Sequence, residues 1–179
     1  KYKPLTMEKW MKPRFLMMIL GLLIVSFNIN AIELKVDQDY VSDEKVYEED
    51  YFFAGNFLDF KGKARDAFTF GEHVIMKGDL SYGLFSASRE LSVEGNVGNG
   101  IKAAGRYVSI KGNSTGTNFL AGETVTFEKG STVKGDTFVG ARRVILNGEL
   151  EGYFRSGAGE IIIQNQITGD VDVHAGRLV

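Results

Sequence analysis

Few residues of this sequence have the types and spacing that chemistry requires, and the most suggestive three lie near its C-terminus. Asp170, Asp172 and His174 alternate along one predicted strand, so their side chains share a face and could together bind a metal ion. Surface residues on a terminal strand are more often simply hydrated, and the chain has 2 His and no Cys with which to build a stronger site. We therefore predict no metal site, no cofactor and no catalytic residue.

Two other segments have the residue types of a functional site without its full pattern. The segment KGST at 129–132 contains the residues of a phosphate-binding loop, but in the wrong order and without the leading glycine. The segment NST at 113–115 is a glycosylation sequon, which matters only where the host glycosylates exported proteins. Neither segment indicates a function by itself.

Any site would have to be positioned by a short repeat that runs through most of the chain. Pairs of apolar residues two positions apart recur, and their second members are spaced by about 17 residues, with one longer interval between Phe127 and Leu146. The pairs are Leu58/Phe60, Val74/Met76, Leu91/Val93, Val108/Ile110, Val125/Phe127, Val144/Leu146 and Ile161/Ile163. A short period of this kind is typical of a solenoid.

Several other positions keep the same period. A glycine or asparagine follows each pair, and because these residues accept a positive φ cheaply we predict a corner at Gly62, Gly78, Gly95, Gly112, Gly130, Gly148 and Asn165. A small residue precedes each pair, at Gly55, Gly71, Ser88, Gly105, Gly122, Ala141 and Ala158. A mostly apolar position follows each corner, at Ala64, Leu80, Val97, Ser114, Val133, Leu150 and Ile167.

A mostly aromatic column lies three positions before the small one. Its members are Phe52, Phe68, Phe85, Lys102, Phe119 and Phe138, with Phe154 beside the last position. We expect this column to face the interior, which would leave no exposed aromatic stripe for ligand binding.

The repeat predicts an all-β, single-stranded parallel β-helix of about seven coils of roughly 17 residues. In a stretch such as Val125-Thr126-Phe127, alternation points both large side chains to one face, and stacking coils about 4.8 Å apart buries that face. A left-handed hexapeptide helix is disfavoured because it needs an aliphatic residue at every sixth position, and the varying interval between the pairs breaks that rule. Leucine-rich repeats are disfavoured because their leucine–asparagine signature is missing.

The distribution of charge separates the chain into three regions. Residues 1–31 contain five Lys/Arg and one acid, residues 32–51 contain eight acids and two lysines, and residues 52–179 contain fourteen of each sign. We predict an acidic cap or linker at 32–51 and the β-helix domain at 52–179. No region has a basic stripe with interleaved aromatics, so we expect no binding to nucleic acid.

The segment at 1–31 has the features of a secretory signal peptide. Lys9, Lys12 and Arg14 precede thirteen apolar or uncharged residues at 15–27, and a small residue follows at Ala31. An uncleaved anchoring helix is the alternative, although thirteen residues are few for a span that needs about 20. In either case we expect an exported protein of the periplasm or cell envelope, with membrane association left open.

Outward positions of the repeat do not favour a polysaccharide-cleaving enzyme. Such an enzyme needs two carboxylates on neighbouring coils, within about 5–10 Å of each other. The position between the two core residues is Asp59, Ile75, Ser92, Ser109, Thr126, Ile145 and Ile162 in successive coils, and the position before the pair is Phe57, His73, Glu90, Tyr107, Thr124, Arg143 and Glu160. Neither column stacks two acids, so we expect no enzyme.

One position earlier, opposite charges are expected to form ladders between coils. Glu72 would lie over Arg89, and Glu123 would lie between Arg106 and Arg142. Such pairs favour the correct register, because a slipped coil would bring like charges together.

The phrases FGEHVIMKGDL, AGRYVSIKGN, AGETVTFEKGSTVKGD and ARRVILNGELEG resemble the bactofilins, a polymer-forming cytoskeletal family, and resemble its exported, membrane-associated branch most. The resemblance covers about residues 47–179. It implies a right-handed β-helix that assembles end to end without nucleotide and acts as a scaffold in cell shape or envelope organisation. It implies no active-site residues.

The ends of the repeat indicate where association is expected. Ile32, Leu34 and Val36 alternate and are predicted to form a cap strand, whereas Leu178-Val179 falls part-way through an eighth coil, so we expect a fragment that is truncated at its C-terminus. A bare C-terminal coil would be the place for self-association or for a missing domain.

A further position stands out within the repeat. The longer interval between Phe127 and Leu146 lets Glu128 and Lys129 bulge outward, which makes this coil the place where we expect a bound partner.

We therefore predict a non-enzymatic scaffold whose partner is a second copy of itself, with membrane or cell-wall components as further partners. An exported adhesin or carbohydrate-binding β-helix is the alternative.

Overall fold

The computed structural model describes residues 32–179, so the predicted signal segment at 1–31 lies outside the described residues. The strands are β1 (Ile32–Val41), β2 (Asp50–Phe60), β3 (Lys63–Ala64), β4 (Ala67–Met76), β5 (Asp79–Leu80), β6 (Leu84–Val93), β7 (Ile101–Ile110), β8 (Ser114–Thr115), β9 (Asn118–Phe127), β10 (Thr132–Lys134), β11 (Thr137–Leu146), β12 (Glu149–Glu151), β13 (Phe154–Ile163), β14 (Ile167–Thr168) and β15 (Val171–Leu178). No helix that could cross a membrane occurs among these residues.

Nine long strands form one sheet in the order β1-β2-β4-β6-β7-β9-β11-β13-β15, and every pairing in it is parallel. Each step along the sheet is one turn of the chain, so the nine strands define eight turns where the sequence predicted about seven. Side chains that pair between neighbouring turns, such as Arg106 with Glu123, are typically about 17 residues apart, which is a period expected of a solenoid. The predicted all-β parallel solenoid and its period are confirmed.

The short strands form a second ladder along the same axis. β3 pairs with β5, and β8, β10, β12 and β14 pair in succession. Single bridges from Leu80 to Val97 and from Val97 to Ser114 join the two groups. Most turns therefore contribute one long and one short strand, and in the turns between β1 and β2 and between β6 and β7 a single bridge, at Val46 or Val97, takes the place of the short strand.

The sheet begins at β1 rather than at residue 52. β1 pairs with β2 in parallel, with Ile32 opposite Asp50 and Val41 opposite Asp59. The strand predicted from Ile32, Leu34 and Val36 is therefore present. The acidic stretch at 43–50 connects two turns of the solenoid, and the predicted boundary at residue 52 falls inside β2.

The core contains the apolar pairs on which the repeat was recognised. Both members are almost completely buried in six pairs, and in the last pair Ile161 is buried while Ile163 is half-buried. The apolar position after the corner is buried from Ala64 to Leu150, including Ser114. The predicted burial of the apolar pairs is confirmed, and the position after the corner is buried as well.

Each complete long strand contains a corner at its small residue. In β9, Leu120, Val125 and Phe127 are buried, so the inward side chains are at even positions before Gly122 and at odd positions after it. Glu123 and its equivalents have no partner in the ladder, which shows where the alternation shifts by one residue. The two halves of the strand thus form two different faces of the solenoid.

The glycine column after each pair does not have the backbone conformation that we predicted. Of the seven predicted corners only Gly130 has a positive φ, and Asn165 has none. The other glycines are needed because coils approach closely: a Cβ on Gly112 would lie 2.5 Å from the carbonyl oxygen of Glu94, and one on Gly95 would overlap Gly78. Steric contact between stacked backbones, rather than backbone twist, selects glycine here.

Apart from Gly130, the glycines with a positive φ lie at the other corner, just before a long strand begins. Gly116, Gly135, Gly152 and Gly169 have φ between 82° and 137° and each precedes its strand by two residues. Glycine adopts this conformation without the strain that a Cβ would cause.

Candidate functional site

The aromatic column faces outward, which corrects our prediction that it is internal. Phe85 is 40% and Phe119 is 50% exposed, and Phe52, Phe68 and Phe138 are half-buried. The inward positions beside them are taken by residues such as Leu120. The reason is the corner at Gly122, which lies between Phe119 and Val125. Because the alternation shifts by one residue at this corner, a residue before it and a residue an even number of positions after it point to opposite sides of the strand.

The outward phenylalanines form an aromatic ladder, by which we mean Phe52, Phe68, Phe85, Phe119 and Phe138. The ring centroids of neighbouring members are 4.4–5.0 Å apart and their planes are within 12° of parallel. Lys102 interrupts the ladder, with its Nζ 5.5 Å from the centroid of Phe85 and 3.0 Å from the carbonyl oxygen of Asn99. Because the rings stack on one another, the ladder presents mainly ring edges to solvent.

A column of small residues runs beside the ladder, two positions further along each strand. The small-residue column consists of Ala54, Ala87, Ala104, Ala121, Gly140 and Gly157, with Phe70 in its place on β4. Between the ladder and this column lies an open groove of about 750 Å³, lined by residues that include Lys102, Phe119, Phe138 and Arg155. We call this surface, formed by the earlier halves of the long strands, the first face, and the lining of its groove is mainly apolar.

At two positions of the small-residue column, no contact within the described part of the chain requires the residue to be glycine. A Cβ built on Gly140 or Gly157 would meet nothing within 4 Å, and neither has a positive φ. Glycine weakens a strand interior, and where it is retained it often marks the close approach of a ligand or another backbone. The space over these residues is therefore a candidate contact site.

The second face, formed by the later halves of the long strands, carries ion pairs between turns. Glu123 accepts hydrogen bonds from Arg106 and Arg142, each at 2.8 Å, as predicted for this ladder. Glu72 and Arg89, although both are described, form no ion pair, so that predicted pair is wrong. Further ladders link Asp59 to Lys77, His73 to Glu90, Glu94 to Lys111, and Glu160 to both Arg143 and Arg177.

The third face, formed by the short strands, is polar. Asn96 donates to Asp79 at 2.8 Å, and Asn113 donates to Asn96 at 2.9 Å. The sequon asparagine therefore takes part in a side-chain ladder between turns. The polar second and third faces contrast with the apolar first face.

The residues that suggested a metal site are engaged with other side chains. Asp172 lies 3.3 Å from Arg155 and 3.6 Å from Nδ1 of His174, and it accepts a hydrogen bond from the Tyr153 hydroxyl. Asp170 is exposed at the corner before β15. No group of three possible metal ligands occurs within residues 32–179.

The segment that resembled a phosphate loop is the irregular coil itself. Lys129 and Gly130 are exposed, whereas Ser131 is buried and donates both its backbone N–H and its hydroxyl to the carbonyl oxygen of Glu128. The bulge is thus Lys129-Gly130, one residue later than predicted, and Ser131 takes the place of the corner glycine beneath Gly148. Because both donors of Ser131 are already used, they are not available to a phosphate.

The charge ladders make a testable contribution to acid stability. The hydrogen bond from Arg106 holds the pKa of Glu123 below its ordinary value of 4.5, and Lys111 has the same effect on the pKa of Glu94. A carboxyl whose folded-state pKa is lowered stabilises the fold above its unfolded pKa, and this contribution is lost as the pH falls through the lowered value.

We therefore expect the melting temperature to fall with pH below about 4.5, and Glu123→Gln to make that fall shallower. Glu72→Gln is the matched control, because Glu72 occupies the same column and has no ion pair. Thermal melts followed by circular dichroism between pH 3 and pH 7 would measure the slopes. Equal slopes for the wild type and Glu123→Gln would show that this ladder contributes no pH-dependent stability.

The fold defines the chain as a parallel β-solenoid. Comparisons with protein families, with curated proteins and with solved structures find no match for it. The resemblance to the bactofilins therefore remains a prediction from sequence motifs.

Sequence reasoning missed the apolar first face. The signal that could have found it is the recurrent small residue that precedes each apolar pair, such as Gly122. A shift in alternation at this residue reverses the direction of every side chain before it in the strand. Gly140 and Gly157 could have been noticed as well, since they fall outside all of the glycine columns that the repeat defines.

Proposed function

We propose that this protein is a non-enzymatic structural scaffold that associates end to end through its solenoid. The observation that carries the proposal is the C-terminal turn. β15 pairs with β13 on one side only, and within residues 32–179 its outer edge is not paired. An open strand edge offers backbone hydrogen bonds to another chain, and it is a template for association unless the protein protects it.

The same turn exposes apolar side chains that are buried elsewhere in the repeat. Ile163, Ile167 and Val173 are only partly buried, although they continue inward columns, and Leu178 is 57% exposed. Stacking another turn on this end would bury these residues and pair the edge. A solenoid with the same period in every copy can supply that turn from its N-terminal end, where β1 is the first strand of the sheet within residues 32–179.

The sequence resemblance supports the same proposal. Bactofilin-like motifs recur from about residue 47 to the last turn, and the predicted export signal favours the cell envelope as the location. We propose a role in envelope organisation or cell shape, with the membrane or cell wall as a further contact. The ladders of ion pairs and asparagines suit such a role, because they specify register between turns.

A charge placed at the open end tests this proposal. Val173→Lys puts an ammonium group at an inward position of β15, and inward charges are a common means of blocking strand edges. We expect the association constant for end-to-end assembly to fall about tenfold or more. His174→Lys is the control, because it changes the neighbouring residue, whose side chain is 80% exposed.

Sedimentation velocity and electron microscopy of the purified protein would measure this assembly. Filaments or oligomers that are lost in Val173→Lys and kept in His174→Lys support the proposal. A wild-type protein that remains a single particle at all concentrations contradicts it.

A second candidate is favoured by one observation. A carbohydrate-binding or adhesive β-helix needs exposed aromatic rings, and Phe85 and Phe119 supply them. However, sugars stack on ring faces, and in the ladder most faces are covered by the neighbouring ring. On its β7 side Phe119 has Lys102 rather than a second ring as its neighbour. Binding to a glycan array that is lost in Phe119→Ala would favour this candidate over the scaffold.

A further inference from the structure

We propose that the first face pairs two copies of the chain side by side, with the aromatic ladder of each copy packed in the small-residue column of the other. This pairing is distinct from end-to-end association, because it uses the flank of the solenoid and not its ends. It would join two solenoids, or two rows of them, laterally.

Two glycines of the first face are not required by any contact among the described residues. An added Cβ at Gly95 or Gly105 would collide with the turn below, whereas one at Gly140 or Gly157 would meet open space. Strand positions with room for a side chain normally carry one, and a β-branched residue would be favoured there. The open space above β11 and β13 therefore fits a group from outside the chain.

The aromatic ladder and the small-residue column are complementary to each other. They run in parallel along the solenoid, two residues apart in every strand, and both rise by one turn per step. A two-fold axis parallel to the solenoid axis exchanges left and right but keeps height, so it places the ladder positions of each copy over the partner's column, with Phe138 opposite Gly140 and Arg155 opposite Gly157. An antiparallel arrangement would instead place ladder on ladder, where stacked rings leave no space between them.

The charges on this face do not oppose the pairing. Arg155 is neutralised by Asp172 on the next strand, and Lys102 folds back over Phe85 and donates to a backbone carbonyl. Neither cation needs a partner from the other copy. The remaining members of the face between β6 and β13 are Phe, Ala and Gly, so apolar surface is what the contact would bury.

The extent of the fit predicts a weak contact between single subunits. Phe70 occupies the small-residue column on β4, so the complementary region runs over the five strands from β6 to β13. At about 4.8 Å per strand and 3.3 Å per residue this region is roughly 24 Å by 16 Å, or about 380 Å² in projection, compared with about 800 Å² of accessible surface per partner in a standard interface. We therefore expect a dissociation constant on the order of 100 µM, which end-to-end association would strengthen by multivalency.

The test of the proposal is to fill the small-residue column with larger side chains. In Gly140→Val/Gly157→Val the added side chains occupy the open space, so we expect the monomer to keep its fold and melting temperature while the dimer dissociation constant rises about thirtyfold or more. Ser81→Val adds a similar group to an exposed position outside this face and should leave pairing unchanged. Sedimentation equilibrium of the Val173→Lys background, in which end-to-end assembly is blocked, would isolate the lateral contact.

Disulfide trapping provides a second measurement that does not depend on the stability of the variant. The chain has no Cys, so single introduced thiols report unambiguously. In the proposed pair Phe119 faces the partner's Ala121, so a mixture of Phe119→Cys and Ala121→Cys chains should form mixed disulfides in preference to either homodimer. Preferential Phe119→Cys homodimers, random cross-linking, or pairing that survives the double valine variant would each overturn the proposal.

Discussion

Gly95→Ala is expected to cost about 3 kcal/mol or more of the free energy of unfolding, or to prevent folding altogether. The new Cβ would overlap the carbonyl group of Gly78 and would lie 2.6 Å from the carbonyl oxygen of Lys77. Both contacts are to backbone in the turn below, which is held by hydrogen bonds from Glu94 and Gly95 to the carbonyl of Met76. A backbone in a paired ladder cannot move aside as a flexible side chain can.

Gly157→Ala is the matched control for this prediction. The same change of glycine to alanine is made in a long strand, but its Cβ meets nothing within 4 Å. We expect unchanged stability or a gain of about 0.5 kcal/mol, because alanine loses less conformational freedom on folding. Urea unfolding followed by circular dichroism would measure both variants. Equal effects at the two positions would contradict the close-stacking explanation of the glycine column.

The second large effect is expected for Phe127→Ala, which should cost about 3–5 kcal/mol. Phe127 is 1% exposed and belongs to the column of apolar side chains that fills the solenoid between Ile110 and Leu146. Truncation leaves a cavity that the stacked turns cannot easily close, since each turn is held at its spacing by the ladders on both sides.

Phe119→Ala tests the direction of the aromatic column within the same strand. Phe119 is 50% exposed and stacks on Phe138, so its removal should cost about 1 kcal/mol or less. Denaturation midpoints of the two variants, measured at low protein concentration, give the comparison. A cost for Phe119→Ala as large as that for Phe127→Ala would indicate that the ladder is part of the core.

The two proposed contacts have different consequences for the assembled protein. End-to-end stacking alone gives a single row of solenoids, whereas the lateral pairing joins two rows that run in the same direction. Val173→Lys and Gly140→Val/Gly157→Val separate them, because each variant removes one contact and leaves the other intact. Single rows in the double valine variant, against paired rows in the wild type, would be visible by electron microscopy.

Most of the fold could be predicted because the same sequence pattern recurs in every turn. A pair such as Val125/Phe127 is ambiguous alone, but seven pairs at nearly constant intervals leave few arrangements other than stacked turns. The long and short strands, the buried pairs and the Glu123 ladder follow from that period. The candidate site was harder to predict from the sequence, because it depends on the direction in which each side chain points. The period of the repeat does not give that direction.

The sequence by itself determined the solenoid, its period and the two inward columns after the corner within each long strand. Only the tertiary structure decided the direction of the aromatic column and the role of the glycines. Phe119 and Phe127 are an even number of residues apart, so uninterrupted alternation would place both inside. The chain turns at Gly122, the alternation shifts by one residue, and Phe119 faces outward while Leu120 enters the core. Likewise, a glycine at position 95 is compatible with either a positive φ or a close approach of another part of the chain. Only the position of the turn below shows that its backbone leaves no room for a side chain on Gly95.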